Sequence, residues 1–349
     1  MLEIYAGKTA LNALEEHGFK QELFTHFLGA SGGPKWFTLF GLDKYLFGDF
    51  FKDRAEVLNL VGSSAGAFRA ACFAQNDPVA AIKRLAKTYS ETVYSKNADA
   101  KEITDSARSL LTTVFADNGA QEIITNPIFK AHFIVAKSKG LVATENKLLQ
   151  GIGLLSSYSK NRVGRKYLTS QYERYIYQPQ DSSLSISDPY NFKTEQINFT
   201  EDNVLDALLA SGSIPMVMEG IPNIPGSPKG MYRDGGIIDY HFDFKINGSG
   251  LTLYPHFNSA PKAGWFDKNL KRRVAAENYD NIVLICPSSA FIDALPYGKI
   301  PDRTDFKNLD PNTRLKYWRK VFGETERLAE TFDDIIKQQN LAKIKRFIS

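Results

Sequence analysis

The chain has 349 residues, of which 43% are hydrophobic and 23% charged, a composition typical of a globular protein with one large α/β domain or two domains. A net charge of +4 is small for this length and argues against a nucleic-acid-binding protein, which would need a concentrated basic face. The two cysteines, Cys72 and Cys286, lie in apolar runs and indicate buried thiols in a reducing compartment.

The N-terminal segment 1–8 has neither a basic start nor a long apolar core, so it predicts no secretion signal. No run approaches the ~18 apolar residues of a membrane span. We therefore expect a cytoplasmic protein, although a protein secreted without a signal would share these features. Apolar residues at helical spacing predict a first helix over 8–17, with Gly18 as its C-cap.

A glycine-rich loop follows the next predicted strand, which covers residues 23–28. The loop runs from Gly29 to Trp36, and helical spacing resumes over 37–46. A glycine-rich loop that opens a helix presents several free N–H groups to one point, which suits an anion or a developing oxyanion. Trp36 stands where a Walker A loop needs Ser or Thr, and the spacing of a dinucleotide-binding loop is absent. A tight strand-to-helix connection is the simpler alternative.

Residues 57–72 predict a buried strand, a tight turn and an alanine-rich helix. The turn reads G-S-S-A-G over 62–66, which is the G-x-S-x-G pattern of a nucleophile elbow when a strand precedes it and a helix follows. The flanking glycines let strand and helix approach closely. We therefore expect Ser64, rather than Ser63, to project its hydroxyl above the end of the sheet.

Residues 146–170 combine apolar residues and glycines with a basic end. This composition suits a mobile lid or a lipid-facing segment, but a core helix that ends in a solvated basic turn is the favoured interpretation. The helix after the elbow is predicted to end near residue 75. Further helices are predicted over 78–89, 102–115 and 200–209, and strands over 133–136 and 172–177.

A second glycine-rich turn, Asp234-Gly235-Gly236, indicates a place where the backbone passes close to another group. The segment 312–347 is predicted to be mostly helical. Its basic, amphipathic end, 341–347, favours a surface helix over contact with an anionic membrane. Further strands are predicted over 237–238, 251–254 and 281–286.

Four features thus occur in order: the glycine-rich loop, the elbow, the sequence A-L-L-A-S-G-S-I-P over 207–215, and Asp-Gly-Gly. Together they resemble the patatin-like phospholipase family across roughly residues 20–290. In that family the loop forms an oxyanion hole, the elbow carries the nucleophile, and the aspartate of D-G-[GA] acts directly as the base. An A-x-x-A-S-x-x-x-P helix end is also common there.

The resemblance implies an α/β, patatin-like three-layer fold with a mostly parallel central sheet flanked by helices and a C-terminal helical extension. It implies a catalytic domain over 1–295, in which 146–170 forms a lid or an acyl-site insertion, and an extension over 296–349 packed on the same domain. The residues that it assigns are Ser64 as the nucleophile, Asp234 as the base, Gly32 and Gly33 as oxyanion donors, and Lys35, Trp36 and Ala65 as weaker substrate contacts.

The activity implied by the resemblance is a serine acyl hydrolase that cleaves acyl esters of lipids or phospholipids, with no cofactor and no metal. The chain departs from the family pattern at Ser31, Trp36, Tyr240 and Phe242, which leaves the dyad intact but affects the shape of the acyl pocket. These departures favour, as the alternative, a catalytically silent scaffold that binds lipid or a protein partner. Peripheral contact with a membrane is a further expectation.

A Ser-Asp-His triad is a rival to the dyad, because His241 or His256 would follow the acid in the order of the α/β-hydrolases. If residues 239–243 form a strand, Asp239, His241 and Asp243 share one face. Such a trio can hold a metal, but a solvated strand face is the favoured interpretation.

Overall fold

The computed structural model describes residues 1–348, so the last residue of the predicted 296–349 extension lies outside the described part. Within that part, eleven strands form one sheet and two short strands pair separately. The strands are β1 (Leu2–Ala6), β2 (Phe24–Gly29), β3 (Leu58–Ser63), β4 (Phe129–Ser138), β5 (Tyr172–Gln178), β6 (Ile186–Ser187), β7 (Thr194–Asn198), β8 (Ile221–Pro222), β9 (Met231–Asp234), β10 (Lys245–Ile246), β11 (Leu251–Pro255), β12 (Ile282–Pro287) and β13 (Ile344–Arg346).

The α-helices are α1 (Lys8–His17), α2 (Phe40–Tyr45), α3 (Ala65–Phe73), α4 (Pro78–Glu91), α5 (Ala100–Phe115), α6 (Gly119–Thr125), α7 (Lys147–Val163), α8 (Val204–Gly212), α9 (Ser289–Asp293), α10 (Asp305–Asn308) and α11 (Pro311–Gln338). A π-helix covers Leu46–Phe50. Short 3₁₀ turns cover Gln21–Leu23, Gly33–Leu39, Gly140–Ala143, Arg165–Ser170, Gly235–Ile237, Trp265–Asp267, Ala276–Tyr279, Pro296–Gly298 and Leu341–Lys343.

The centre of the sheet is parallel. Strands β12, β11, β2, β3 and β4 lie side by side in this order, and each neighbouring pair runs in the same direction. The antiparallel strand β1 extends one side, and β5 and β9 pair antiparallel with β4 on the other. The predicted α/β fold with a mostly parallel central sheet flanked by helices is confirmed.

The two faces of the sheet are covered differently. Alternate strand residues such as Leu60 pack against a large core formed with helices α1 to α5, α8 and α11. Their neighbours, such as Val61, face a second core, which is closed largely by the segment 242–279 and not by long helices. Both faces of the parallel strands are therefore buried, and this explains why these strands are continuous apolar runs in the sequence.

Strands β3 and β9 meet end to end along β4. Strand β3 runs parallel to β4 and ends with Ser63 opposite Ile134. Strand β9 runs antiparallel to β4 and ends with Asp234 opposite Val135. Because Ile134 and Val135 are consecutive residues of β4, the C-terminal end of β3 lies next to the C-terminal end of β9, although the two strands are far apart in sequence.

Three sequence predictions need correction. The end of the chain is not a surface helix, because α11 stops at Gln338 and residues 344–346 form β13, which pairs parallel with β1. Residues 237–238 do not resume a strand, because the chain turns there in a 3₁₀ turn. The segment 146–170 is not a core helix, because α7 leaves its apolar side exposed.

Candidate active site

The turn between β3 and α3 holds Ser64 in a strained backbone conformation. Its φ is +52° and its ψ is −125°, a region that residues with a side chain rarely adopt. A Cβ atom on Gly66 would lie 1.7 Å from the carbonyl oxygen of Gly29, and one on Gly62 would lie 2.3 Å from that of Gly66. Backbone packs directly against backbone here, so the turn requires both glycines and presents the Ser64 side chain beyond the end of β3.

The Ser64 hydroxyl donates a hydrogen bond to Oδ2 of Asp234 at 2.9 Å. Both residues are buried, with exposed fractions of 2% and 6%. The other carboxylate oxygen accepts the N–H of Gly236 at 2.7 Å, and the Asp234 N–H donates to the carbonyl of Ser213 at 3.0 Å. The structure therefore brings together the two residues assigned as nucleophile and base, which are 170 positions apart.

A buried serine at the end of α8 supports the elbow. The N–H of Ser64 donates to Oγ of Ser211 at 3.0 Å, and the Ser211 hydroxyl donates to the carbonyl of Ile134 at 2.7 Å. Ser211 is fully buried, and it is the serine of the A-L-L-A-S-G-S-I-P sequence. It links the nucleophile turn, α8 and β4, which gives that sequence pattern a physical role.

Burial raises the pKa of Asp234 above its ordinary value of 3.8. The positive charge of Arg303 and the hydrogen bonds from Gly236 and Ser64 act in the opposite direction but do not cancel the effect of burial. A carboxylate with a raised pKa is a stronger base, so Asp234 is suited to accept the proton of a neighbouring hydroxyl.

The glycine-rich loop after β2 offers unpaired N–H groups. Among residues 1–348, the N–H groups of Gly32, Gly33 and Ala65 donate no hydrogen bond. The loop is tightly enclosed: a Cβ atom on Gly32 would lie 2.7 Å from the Phe257 ring, and one on Gly33, whose φ is +55°, would lie 2.6 Å from Nε of Arg303. Free N–H groups on a loop of fixed shape are the donors that an oxyanion hole needs.

A small pocket opens above the dyad. Its empty volume is about 260 Å³ including the open mouth. The sequence analysis noted Tyr240 only as a departure from the family pattern, and Ile214 and Pro215 only as the end of the A-L-L-A-S-G-S-I-P sequence. It did not single out Trp265, Lys268 or Arg303. Besides the dyad, the walls include Ile214, Pro215, Tyr240, Trp265, Lys268 and Arg303.

Two basic side chains line this pocket. The Lys268 ammonium lies 4.1 Å from the centroid of the Tyr240 ring, and burial together with the charges of Arg303 and Lys35 lowers its pKa to about 7. Arg303 follows β12 in the chain, and its guanidinium lies against Gly33. Neither cation belongs to a sequence motif, so only the fold reveals that they border the reacting groups.

The three weaker substrate contacts predicted from the sequence lie outside the pocket wall. Trp36 is 1% exposed and packs against Phe37 in the large core, so its side chain anchors the glycine-rich loop to that core. Lys35 lies 3.5 Å from Asp302 and adds positive charge near Lys268. Ala65 contributes its free N–H at the first position of α3.

His241 is buried and does not reach the dyad. Its Nδ1 accepts the N–H of Lys262 at 2.9 Å, and its ring centroid lies 4.3 Å from that of His256. In the described part of the chain it makes no hydrogen bond to Ser64 or Asp234, and burial lowers its pKa well below the ordinary value. A Ser-Asp-His triad is therefore not formed.

The two acidic residues near His241, Asp239 and Asp243, make structural hydrogen bonds. The run 239–243 is a buried loop and not a strand, so its side chains do not share a face. Asp239 accepts two hydrogen bonds from Arg174, at 2.6 and 2.9 Å. Asp243 accepts the hydroxyl of Tyr190 and the amide of Asn278. These carboxylates are occupied as structural acceptors.

Fold and site together define an α/β protein with an elbow serine hydrogen-bonded to an aspartate. The family description "Patatin-like phospholipase" matches residues 30–241, more than half of the chain. The chain belongs to the patatin-like phospholipase family, whose members are lipid acyl hydrolases.

Two solved structures are similar to the chain. Human GIVD cytosolic phospholipase A2 has a TM-score of 0.42 and 10% identity over 96% of this chain, which spans 63% of that protein's length. VipD from Legionella pneumophila has a TM-score of 0.37 and 12% identity, with 95% of this chain and 70% of that one covered. No protein with a curated description matches the chain.

Proposed function

We propose that the protein is a serine acyl hydrolase that cleaves acyl esters of lipids through a dyad of Ser64 and Asp234. The observation that carries the proposal is the 2.9 Å hydrogen bond from a hydroxyl on a strained elbow to a buried carboxylate of raised pKa. Membership of the family supports a lipid substrate. Lys268 and Arg303, which line the pocket, favour an ester with an anionic group close by, as in a phospholipid.

In the proposed acylation step, Oγ of Ser64 attacks the ester carbonyl carbon while Asp234 takes the hydroxyl proton. The carbonyl oxygen becomes an oxyanion, which the N–H groups of Gly32, Gly33 and Ala65 stabilise; loss of one such donor typically costs ~2.7–4 kcal/mol in the barrier. The bond from the carbonyl carbon to the leaving alcohol oxygen then breaks. The alcohol leaves with the proton held by Asp234, and the acyl group stays on Oγ.

In the proposed deacylation step, water enters above the acyl-enzyme and gives a proton to Asp234 as it attacks the same carbonyl carbon. The bond between that carbon and Oγ of Ser64 breaks, the carboxylic acid leaves, and the proton returns to the serine. The reaction is redox-neutral and uses only water as a co-reactant.

A fluorophosphonate probe combined with hydrolysis of a phospholipid ester tests the proposal. We expect the wild type to be labelled and Ser64→Ala to be unlabelled, because the probe reacts with an activated serine oxygen. We expect Asp234→Asn to lower kcat/KM by ~10³ or more, since the hydroxyl loses its base.

The matched control is Ser63→Ala. It removes the hydroxyl of the adjacent residue, which accepts a hydrogen bond from Ser31 and, in the described residues, makes none to Ser64 or Asp234. We expect this variant to keep its labelling. Equal labelling of wild type and Ser64→Ala would contradict the assignment of the nucleophile.

The second candidate is a catalytically silent patatin-like scaffold that binds lipid. The observation that favours it is the small size of the pocket, whose empty volume is only about 260 Å³ even with its open mouth included. The same probe separates the two candidates: a scaffold would remain unlabelled although it binds lipid.

A further inference from the structure

Helix α7 buries a polar side and exposes an apolar one. A helix on a globular protein ordinarily turns its apolar stripe towards the core, so this arrangement is inverted. The buried positions are Gln150, Gly153, Ser157 and Asn161. The exposed apolar positions are Leu148, Leu149, Ile152, Leu155 and Val163, with exposed fractions between 42% and 78%.

Hydrogen bonds fix α7 in this orientation. Oε1 of Gln150 accepts the N–H of Met216 at 2.8 Å. In the last turn of α7, the Asn161 side-chain amide donates to Asp267 at 2.8 Å. Rotating the apolar stripe inward would break these bonds and leave buried polar groups unpaired, which costs about 1–3 kcal/mol for each group. The apolar stripe therefore has to face outward in the folded protein.

Helix α7 contacts the wall of the catalytic pocket. Pro215 forms part of the pocket wall, and the next two residues, Met216 and Val217, are 42% and 40% exposed. On the inner side of α7, Leu154 packs in one cluster with Trp265, which also lines the pocket. We call the stripe of α7 together with Met216 and Val217 the apolar face.

Positive charges accompany the apolar face. No Asp or Glu occurs between residues 147 and 170. An exposed apolar segment whose charged residues are all basic is the pattern of a protein surface that lies in the interface of an anionic bilayer. Two carboxylates, Glu145 and Glu219, lie just outside this segment, beside Lys147 and Val217. The described residues 1–348 contain no helix that is long and apolar enough to cross a membrane. The cations at or near the surface here are Lys147, Lys160, Arg162 and Lys166.

We propose that the apolar face lies on an anionic lipid bilayer, with α7 parallel to the membrane plane and the catalytic pocket opening onto the lipid surface. This proposal rests on the proposed function, because lipid hydrolysis explains why the protein would contact a bilayer. The binding itself needs no catalytic turnover. A pocket of this small size fits this arrangement, because most of an acyl chain can stay in the bilayer.

Vesicle flotation measures the binding, with liposomes of phosphatidylcholine alone or with a minority of phosphatidylserine. The protein carries Ser64→Ala, so that hydrolysis cannot alter the vesicles. We expect Leu148→Gln, Ile152→Gln and Leu155→Gln together to weaken binding by ~100-fold or more, because three large side chains no longer enter the lipid. Gln is a good helix former, and these side chains make no core contacts, so the fold should persist.

The matched control is Val57→Gln. Val57 is 40% exposed and precedes β3, at the opposite end of that strand from Ser64. We expect this variant to bind vesicles like its parent protein. Changing Lys147→Gln and Arg162→Gln should weaken binding to phosphatidylserine vesicles by roughly fivefold per charge and leave binding to pure phosphatidylcholine little changed.

Trp265 supplies a second measurement. The other two tryptophans, Trp36 and Trp318, are 1% and 0% exposed, so Trp265 alone can respond to lipid at the surface. We expect its emission to shift to shorter wavelength and to be quenched by brominated lipid when vesicles are added. Trp265→Phe should abolish both signals.

Three outcomes overturn the proposal. One is the absence of vesicle binding by the parent protein. Another is equal binding by the triple glutamine variant. The third is a dimer in solution that the triple variant dissociates, without any vesicle binding, since the apolar face would then be covered by a second copy of the chain. None of these bears on labelling by the fluorophosphonate probe, so failure here is distinguishable from failure of the proposed hydrolase activity.

Discussion

Replacing Ser211 by alanine removes one hydroxyl that serves two buried backbone groups. The hydroxyl accepts the N–H of Ser64 at 3.0 Å and donates to the carbonyl of Ile134 at 2.7 Å. A buried polar group left without a partner costs about 1–3 kcal/mol, so two such groups predict a fall of about 2–6 kcal/mol in the free energy of unfolding. This is a large share of the ~5–15 kcal/mol that stabilises a typical protein.

Urea denaturation measures this loss, with Ser213→Ala as the matched control. Ser213 is equally buried but donates a single hydrogen bond, to the carbonyl of Leu209, so its loss predicts about half the effect. We also expect Ser211→Ala to react more slowly with the fluorophosphonate probe, because the N–H that anchors the strained Ser64 is released. Equal destabilisation by both variants, or an unchanged rate of labelling, would refute the reasoning.

Four further predictions concern the elbow, a glycine of α7 and the base. Gly66→Ala should abolish labelling by the fluorophosphonate probe, because its Cβ would lie 1.7 Å from the carbonyl oxygen of Gly29. Gly151→Ala should instead raise the free energy of unfolding by about 0.5–1 kcal/mol in a thermal melt, because its Cβ meets nothing within 4 Å. Asp234 must be ionised to accept a proton, so kcat/KM should fall as pH drops through a pKa above 3.8. Arg303→Gln should move that acidic limb to higher pH, because the charge of Arg303 lowers the pKa of Asp234; an unmoved limb would argue against this.

The elbow could be predicted from the sequence because every requirement of the turn is local. The glycines at 62 and 66 allow the close approach of β3 and α3, and both lie within two residues of Ser64. The positions of Gly32, Gly33 and Asp234 came from the family resemblance and not from spacing. Their contacts join segments separated by tens to hundreds of residues, and no local pattern encodes such contacts.

The elements that the sequence analysis missed depend on distant partners. Residues 344–346 form a strand because β1 offers an edge, with Ile344 opposite Ile4; three residues are too few for helical and strand periodicity to differ. For α7 the sequence predicted a core helix, because the pattern could not tell which side is buried. That side is chosen by polar partners such as Asp267, more than a hundred residues further along the chain.

The register of β4 explains why the nucleophile and its base meet. Strand β3 places Ser63 opposite Ile134, and β9 places Asp234 opposite Val135, so the separation of the dyad depends on two pairings with consecutive residues. A shift of β9 by one residue would turn the Asp234 side chain to the other face of the sheet and away from Ser64. A shift that put Asp234 in the place of Gly235 is blocked, since a Cβ there would lie 2.1 Å from the Ile134 carbonyl oxygen. The close approach at Gly235 therefore opposes slippage of β9 in that direction and favours the register on which the proposed chemistry depends.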